Sequence, residues 1–137
     1  MQTKFLWAGI LASAAFAVTA ANVDVSKLPA AAAKTGVTFD ADIKPIFEKS
    51  CFKCHGPDVE KPKGKFRADT RANVLKGGDN APNVVAGDLK KSTLVGQVGH
   101  IGDEDDWMPP KNNKAKIAPL TPAEVALVRA WIEQGAK

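Results

Sequence analysis

Both cysteines of the 137-residue chain and one of its two histidines lie together in the stretch SCFKCHGPD, residues 50–58. Thiols and an imidazole at this spacing suit four kinds of chemistry: a disulfide, a structural zinc site, a thiol redox centre, or covalent attachment of haem. Each of the four needs different partners elsewhere in the chain. The choice therefore depends on the residues that surround Cys51, Cys54 and His55.

Three of these chemistries lack partners in the sequence. A disulfide between Cys51 and Cys54 would close a very short loop, constrain little of the unfolded chain and leave His55 without a role. A tetrahedral zinc site would need the adjacent Cys54 and His55 together with the isolated His100. A thiol redox centre usually has its first cysteine at the start of a helix, after a strand. Here the cysteines follow an amphipathic pattern instead, so these three remain the weaker alternatives.

Covalent haem attachment uses all three residues at the spacing observed. The sequence C-x-x-C-H is the attachment motif for haem of the c type. The two thiols would add to the vinyl groups of the porphyrin, and the histidine would bind the iron from one face. We therefore predict one covalently attached haem c, with Cys51 and Cys54 as the thioether positions and His55 as an axial iron ligand.

The N-terminus has the features of an export signal. Lys4 provides a positive charge, residues 5–18 form an apolar run, and residues 18–20 offer a small-residue cleavage site. Because the run is short for a membrane span, we predict a signal peptide over residues 1–20, with a retained N-terminal anchor as the alternative. The mature protein would be periplasmic or secreted and would have no membrane span. Haem c is attached outside the bacterial cytoplasm, so the signal supports the haem prediction.

Met108 is the predicted second axial ligand of the iron. It is the only methionine after the initiator, and it lies in the polar stretch DDWMPPKNN, where core packing is not expected. The two following prolines favour an extended, stiff backbone. His100, expected at an exposed rim, is the alternative ligand, and an open position is the third possibility. Ligation by histidine and methionine would raise the reduction potential, whereas two histidines would lower it.

An amphipathic helix is predicted over residues 40–50, immediately before the cysteines. Asp40 or Asp42 is the expected cap, and Pro45 is tolerable near the first turn. Apolar or small residues recur at spacings of three and four, which predicts one buried face. That face consists of Ile43, Ile46, Phe47 and Ser50.

The last helix carries the strongest local signals in the chain. Thr121 and Glu124 form a capping box with proline at the first helical position, and Gly135 is the expected stop. Shorter helices are predicted over residues 70–76 and 90–98, and no run alternates like a strand, which predicts a mostly α fold. The buried face of the last helix is predicted to contain Val125, Val128, Trp131 and Ile132.

The predicted organisation is a signal peptide over 1–20, a linker over 21–38 and one domain over 39–137. The linker is rich in alanine and is interrupted by Pro29 and Gly36, which is typical of a tether or a strip on the domain surface. The domain has long loops and few large apolar residues. Because a small domain of this kind often needs a cofactor to complete its core, we predict that the apoprotein is largely unfolded.

Lysines are concentrated on both sides of the predicted haem crevice. The net charge of +4 would fall to +3 without residues 1–20, which is too low and too dispersed to indicate nucleic-acid binding. A basic rim would steer a redox partner with an acidic docking patch, and ordinary solvated loop charge is the alternative. The lysines of this rim are Lys53, Lys61, Lys63 and Lys65 near the cysteines, and Lys111, Lys114 and Lys116 after Met108.

Several blocks in order resemble the planctomycete-type cytochrome c domain, from about residue 38 to the C-terminus. They are FDADIKPIFEKSCFKCHGPD, KGKFRADTRANVLKGGD, VVAGDLKKSTLVGQV, WMPPK and LTPAEVALVRAWIEQGA. The resemblance implies a cytochrome c-like fold in which the N- and C-terminal helices pack around one covalent haem, with Phe47 and Trp131 in contact. It also implies His55 and Met108 as axial ligands. Arg67 resembles a recurrent arginine of the family and by its charge would pair with a haem propionate, with a surface salt bridge as the alternative.

These features predict an exported mono-haem cytochrome that carries single electrons and is not an enzyme. An iron with two protein ligands leaves no position for a substrate, which favours electron transfer over catalysis. Two other classes remain open. One is a peroxidase-like haem enzyme subunit in which Met108 dissociates from the iron. The other is a non-redox interaction module whose fold is held together by the haem.

Overall fold

The computed structural model describes residues 22–137, so the predicted signal peptide lies outside the described residues. This part of the chain is helical and contains no β-strand, which confirms the mostly α prediction. None of its helices is long and apolar enough to cross a membrane. The α-helices are α1 (Lys44–Ser50), α2 (Phe52–His55), α3 (Arg71–Lys76), α4 (Thr93–Val98) and α5 (Pro122–Glu133).

The predicted first helix starts differently from expectation. A π-helical turn, Phe39–Ile43, precedes α1, and its N-cap is Thr38, whose hydroxyl accepts a hydrogen bond from the Ala41 N–H. The prediction of Asp40 or Asp42 as the cap is wrong. Asp42 instead reaches back and accepts the Thr38 N–H at 3.0 Å, from one position beyond the site that a capping box uses.

Aromatic rings join the beginning of the domain to its end. Phe39, on the π-helical turn, packs against Phe47 of α1 at 6.0 Å between ring centroids and against Trp131 of α5 at 5.7 Å. All three side chains are buried. The aromatic contact expected between Phe47 and Trp131 is therefore made through Phe39. The predicted inner face of the first helix is confirmed, since Ile43, Ile46, Phe47 and Ser50 are all buried.

The capping box of α5 is present as predicted. The Thr121 hydroxyl accepts the Glu124 N–H at 3.2 Å, and the Glu124 carboxylate accepts the Thr121 N–H at 2.8 Å. The same carboxylate pairs with Lys49, which ties α5 to α1. The predicted apolar face is confirmed, since Val125, Val128, Trp131 and Ile132 are buried.

The two short helices differ in how well their starts were predicted. Thr70 caps α3, which ends before Gly77 at a φ of 74°. In contrast, α4 begins at Thr93, three residues later than expected. The cause is Ser92, whose buried hydroxyl donates to the backbone carbonyl of Asp88 at 2.7 Å and thereby closes a turn before the helix.

Within the strip of residues 22–38, Val23 lies beside Gly96 of α4, and residues 29–34 lie along α5. Arg129 donates to the Pro29 carbonyl at 3.0 Å, and Gln134 donates to the Lys34 carbonyl at 2.8 Å. Leu28 and Val37 of this strip are buried in the main core. The strip therefore contributes apolar surface to the domain beside it.

Glu124 is expected to make the stability of the fold depend on pH. Burial raises its pKa, but hydrogen bonds from Lys49 and Thr121 outweigh burial and lower the pKa below its ordinary value. A carboxyl group with a lowered folded-state pKa stabilises the fold above its unfolded pKa, and this contribution is lost as the pH falls through the folded pKa. Thermal melts of Glu124→Gln should therefore show a smaller loss of stability than wild type below about pH 4.3. The exposed Glu60→Gln is the control, and equal acid slopes in Glu124→Gln and wild type would contradict the prediction.

Candidate haem-binding site

Cys51, Cys54 and His55 share one helical turn at the end of α1. The carbonyl of Cys51 accepts the N–H of Cys54 at 3.1 Å and the N–H of His55 at 2.8 Å. Both thiols are half-buried and are not bonded to each other. The turn therefore presents two free thiols and one imidazole close together.

The imidazole of His55 has one nitrogen committed and one available. Its Nδ1 lies 3.0 Å from the carbonyl oxygen of Phe66, which can only accept, so Nδ1 carries the proton and donates. No hydrogen bond to Nε2 is formed within residues 22–137. Burial lowers the pKa of His55, with only partial opposition from the Phe66 hydrogen bond. A neutral imidazole with its Nδ1–H fixed by a carbonyl is the form that binds metal through Nε2.

The thiol of Cys51 does not suit a redox centre. Burial, with a smaller contribution from the neighbouring Cys54, raises the pKa of Cys51 to about 12. A reactive thiol of a redox centre has a lowered pKa, because the thiolate is the attacking species. Zinc is equally unsupported, because no group of three or more His, Cys, Asp or Glu side chains in the described chain could hold a metal ion.

Met108 reaches the same cavity from a distant part of the sequence. A cavity of about 130 Å³ is lined by Cys51, His55 and Met108 together with apolar side chains that include Phe66 and Leu94. Met108 is half-buried, lies outside any helix and donates its N–H to the Gln97 carbonyl at 3.0 Å. The fold thus brings three of the predicted site residues together around one space.

A larger groove of about 680 Å³ adjoins this cavity but contains none of the predicted ligands. It runs between residues 22–23, 80–82 and 101–106, and it shares Asn80 and Gln97 with the cavity. The smaller cavity, which contains the thiol, imidazole and thioether groups, is therefore the candidate site.

His100 does not line the cavity, and it is half-buried where an exposed rim position was expected. Its ring stacks on Trp107 with 4.7 Å between centroids and 12° between planes. Its Nε2 lies 3.1 Å from the Pro109 carbonyl. The side chain is thus engaged with the segment that carries Met108.

Arg67 contacts the loop that follows His55. Its guanidinium donates to the carbonyls of Gly56 and Val59, both at 2.8 Å, and it does not line the cavity. Its contact with a haem propionate stays a prediction. Cys54 likewise does not line the cavity, although it lies on the same turn as Cys51 and His55.

Arg67→Lys is expected to destabilise the haem-loaded protein by about 2 kcal/mol, because a lysine cannot make the forked hydrogen bonds of a guanidinium. The free energy of unfolding from urea titration measures this loss. The exposed Lys61→Ala, in the same loop, should stay within about 0.5 kcal/mol of wild type. If Arg67→Lys is as stable as wild type, the hydrogen bonds from Arg67 to residues 56–59 do not contribute to the free energy of unfolding.

Sequence reasoning missed part of the cavity wall. Phe66 and Asn83 lie in irregular loops that carry no periodic signal, and both line the cavity. Asn83 is buried and accepts the Gly78 N–H at 3.1 Å, which fixes the loop around it. The lone phenylalanine in the polar stretch KGKFRAD was the one available signal.

Residues 51–112 match the family model described as Planctomycete cytochrome C. This match supports a planctomycete-type cytochrome c domain in this part of the chain. Comparisons with curated proteins and with solved structures found no match. A domain of this family indicates a haem-binding electron carrier, which agrees with the motif at Cys51, Cys54 and His55.

The residues of this planctomycete-type cytochrome c domain fit a haem. Two unpaired thiols lie on one turn, His55 has a fixed ring with Nε2 available, and Met108 supplies a thioether in the same cavity. Phe66, Leu94 and Val98 give part of the cavity an apolar wall. This donor set matches the histidine and methionine ligands found in cytochromes c.

Proposed function

We propose that the protein is an exported mono-haem c-type cytochrome that carries single electrons. The observation that supports this most strongly is that Cys51, His55 and Met108 line one cavity, although more than fifty residues separate His55 from Met108. A bound haem c would supply a reversible one-electron iron couple. The protein residues would attach it, ligate it and set its surroundings.

Each predicted residue has a distinct role in this proposal. Cys51 and Cys54 would form the thioether bonds to a haem, and His55 and Met108 would both bind its iron. With both of these positions supplied by protein, a substrate would have no place to bind at the iron. The apolar walls near Phe66 and Leu94 limit water around the site, which with methionine ligation favours a high reduction potential.

The electron partner is proposed to be a protein with an acidic docking patch. Lys63 lines the cavity mouth, so at least one positive charge lies at the candidate crevice. Two rim lysines have acidic neighbours, since Lys65 pairs with Asp79 and Lys111 pairs with Glu104. The steering charge would therefore come mainly from the rim lysines without such pairs, and the partner's on-rate should fall as salt is raised.

A redox titration of the purified, haem-loaded protein tests the proposed function. Optical titration with soluble mediators should give a reversible transition that fits one electron per chain. The reduced protein should bind carbon monoxide slowly or not at all, because Met108 occupies the position. Rapid carbon monoxide binding would favour a haem enzyme, and an iron that exchanges no electrons with any mediator would favour a non-redox module.

A further inference from the structure

The loop that carries Met108, residues 99–111, is braced internally by the ring of His100, which contacts two later residues of the same loop. We propose that His100 is a positioning residue whose ring holds this loop in place and thereby keeps Met108 at the iron. The inference rests on the proposed function, in which Met108 is an axial ligand. His100 itself touches neither the candidate cavity nor, in this proposal, the iron.

Two contacts of the His100 ring fix the residues on either side of Met108. Its face stacks on Trp107, with centroids 4.7 Å apart and planes inclined by 12°. Its Nε2–H donates to the Pro109 carbonyl across 3.1 Å, because that oxygen can only accept. The residue before Met108 and the residue after it are thus both held by one side chain.

The backbone closes the loop at one point. The carbonyl of Gln97, at the end of α4, accepts the N–H of His100 at 3.2 Å and the N–H of Met108 at 3.0 Å. The two ends of the intervening segment therefore meet at a single oxygen atom. His100 adopts a φ of 54° at this closure, a conformation in which asparagine, aspartate and histidine are the enriched residues after glycine.

Elsewhere in the loop, the Ile101 N–H donates to the Gly96 carbonyl at 2.9 Å, the Ile101 side chain packs against the core, and Pro109 is buried. Residues 103–106 are acidic and exposed. The indole N–H of Trp107 is buried without an acceptor among the described residues, so no hydrogen bond from it fixes the ring. Trp107 is instead held by stacking, with His100 against it and the Lys111 ammonium 4.7 Å from the ring centroid. The ring of His100 therefore supplies both the stacking partner of Trp107 and the hydrogen-bond donor to the Pro109 carbonyl.

Three measurements on the haem-loaded protein test the inference. His100→Asn suits the positive φ but removes the ring, and His100→Gln retains an N–H donor at the position of Nε2. In His100→Asn, the apparent affinity of the ferric protein for added imidazole should rise about tenfold, because loss of one stacking contact and one hydrogen bond weakens the competing Met108. The Met108 amide should exchange its hydrogen faster, and the reduction potential should fall. His100→Gln should recover part of each effect.

Controls separate a specific effect from general destabilisation. Val128→Ala truncates a buried side chain of α5 and should lower the melting temperature with unchanged imidazole affinity. The inference would be overturned if His100→Asn binds imidazole, and exchanges the Met108 amide hydrogen, within about twofold of wild type. A change of about twofold is far below the expected change of about tenfold. Met108→Leu is the reference for a lost ligand. If Met108→Leu binds imidazole as wild type does, the proposed ligation has failed, which is a different result from an unaltered His100→Asn.

Discussion

Met108→Leu is expected to lower the reduction potential of the haem-loaded protein by at least about 0.1 V, a modest part of the roughly 0.8 V range that axial ligands span. Leucine conserves the volume of methionine, so packing changes little. It lacks the sulfur atom, so the iron loses its thioether ligand. The shift should be measured by optical redox titration, and the visible spectrum and carbon monoxide binding should change with it.

Ile101→Leu is the matched control for this variant. Ile101 is a partly buried aliphatic residue in the same loop, and neither side chain at that position can bind iron. Its potential should stay near that of wild type. If Met108→Leu keeps the wild-type spectrum and potential, Met108 is not the ligand, and His100 or an open position becomes the alternative.

The second large effect is expected on folding. The double variant Cys51→Ala with Cys54→Ala cannot form thioether bonds, and we expect it to carry no covalent haem and to be largely unfolded. Its free energy of unfolding should be near zero, compared with the roughly 5–15 kcal/mol of a folded domain. The physical reason is that a small domain with long loops and few large apolar residues needs the cofactor to complete its core. Near-ultraviolet circular dichroism and urea titration measure the result.

Ser50→Ala provides the control for the cysteine variant. Ser50 is next to Cys51, and its buried hydroxyl has no hydrogen-bond partner among the described residues. Removal of an unpaired buried hydroxyl should leave the stability of the haem-loaded protein unchanged or slightly higher. A cooperative transition in the haem-free double variant would instead show that the protein core is sufficient without the cofactor.

The helices were predictable where their signals are local. The capping box at Thr121 is a short-range feature and is present as expected, and α3 ends at Lys76 as predicted. The starts of the first helix and of α4 were not predicted, because Thr38 and Ser92 act through hydrogen bonds that depend on how the turn before each helix folds. The role of Phe39 between Phe47 and Trp131 is likewise a consequence of tertiary packing.

The candidate site, like the helices, has some features that the sequence predicts and others that depend on the folded structure. Cys51, His55 and Met108 could be chosen from residue type and scarcity alone, because few other side chains in the chain can bind iron. The fixed proton on His55 Nδ1 depends on the Phe66 carbonyl, a contact across eleven positions that no motif encodes. From the sequence alone, His100 is expected only as an alternative ligand of the iron. Its contacts with Trp107 and Pro109 are visible only once the loop is folded.

The intact mass of the purified wild-type protein tests the central proposal most directly. The full 137-residue chain should be expressed together with a haem c maturation system and measured under denaturing conditions. We predict a single species with the mass of residues 21–137 plus one haem, retained after unfolding because both thioether bonds are covalent. A colourless protein, or one that loses its haem on denaturation, would contradict the assignment of Cys51 and Cys54.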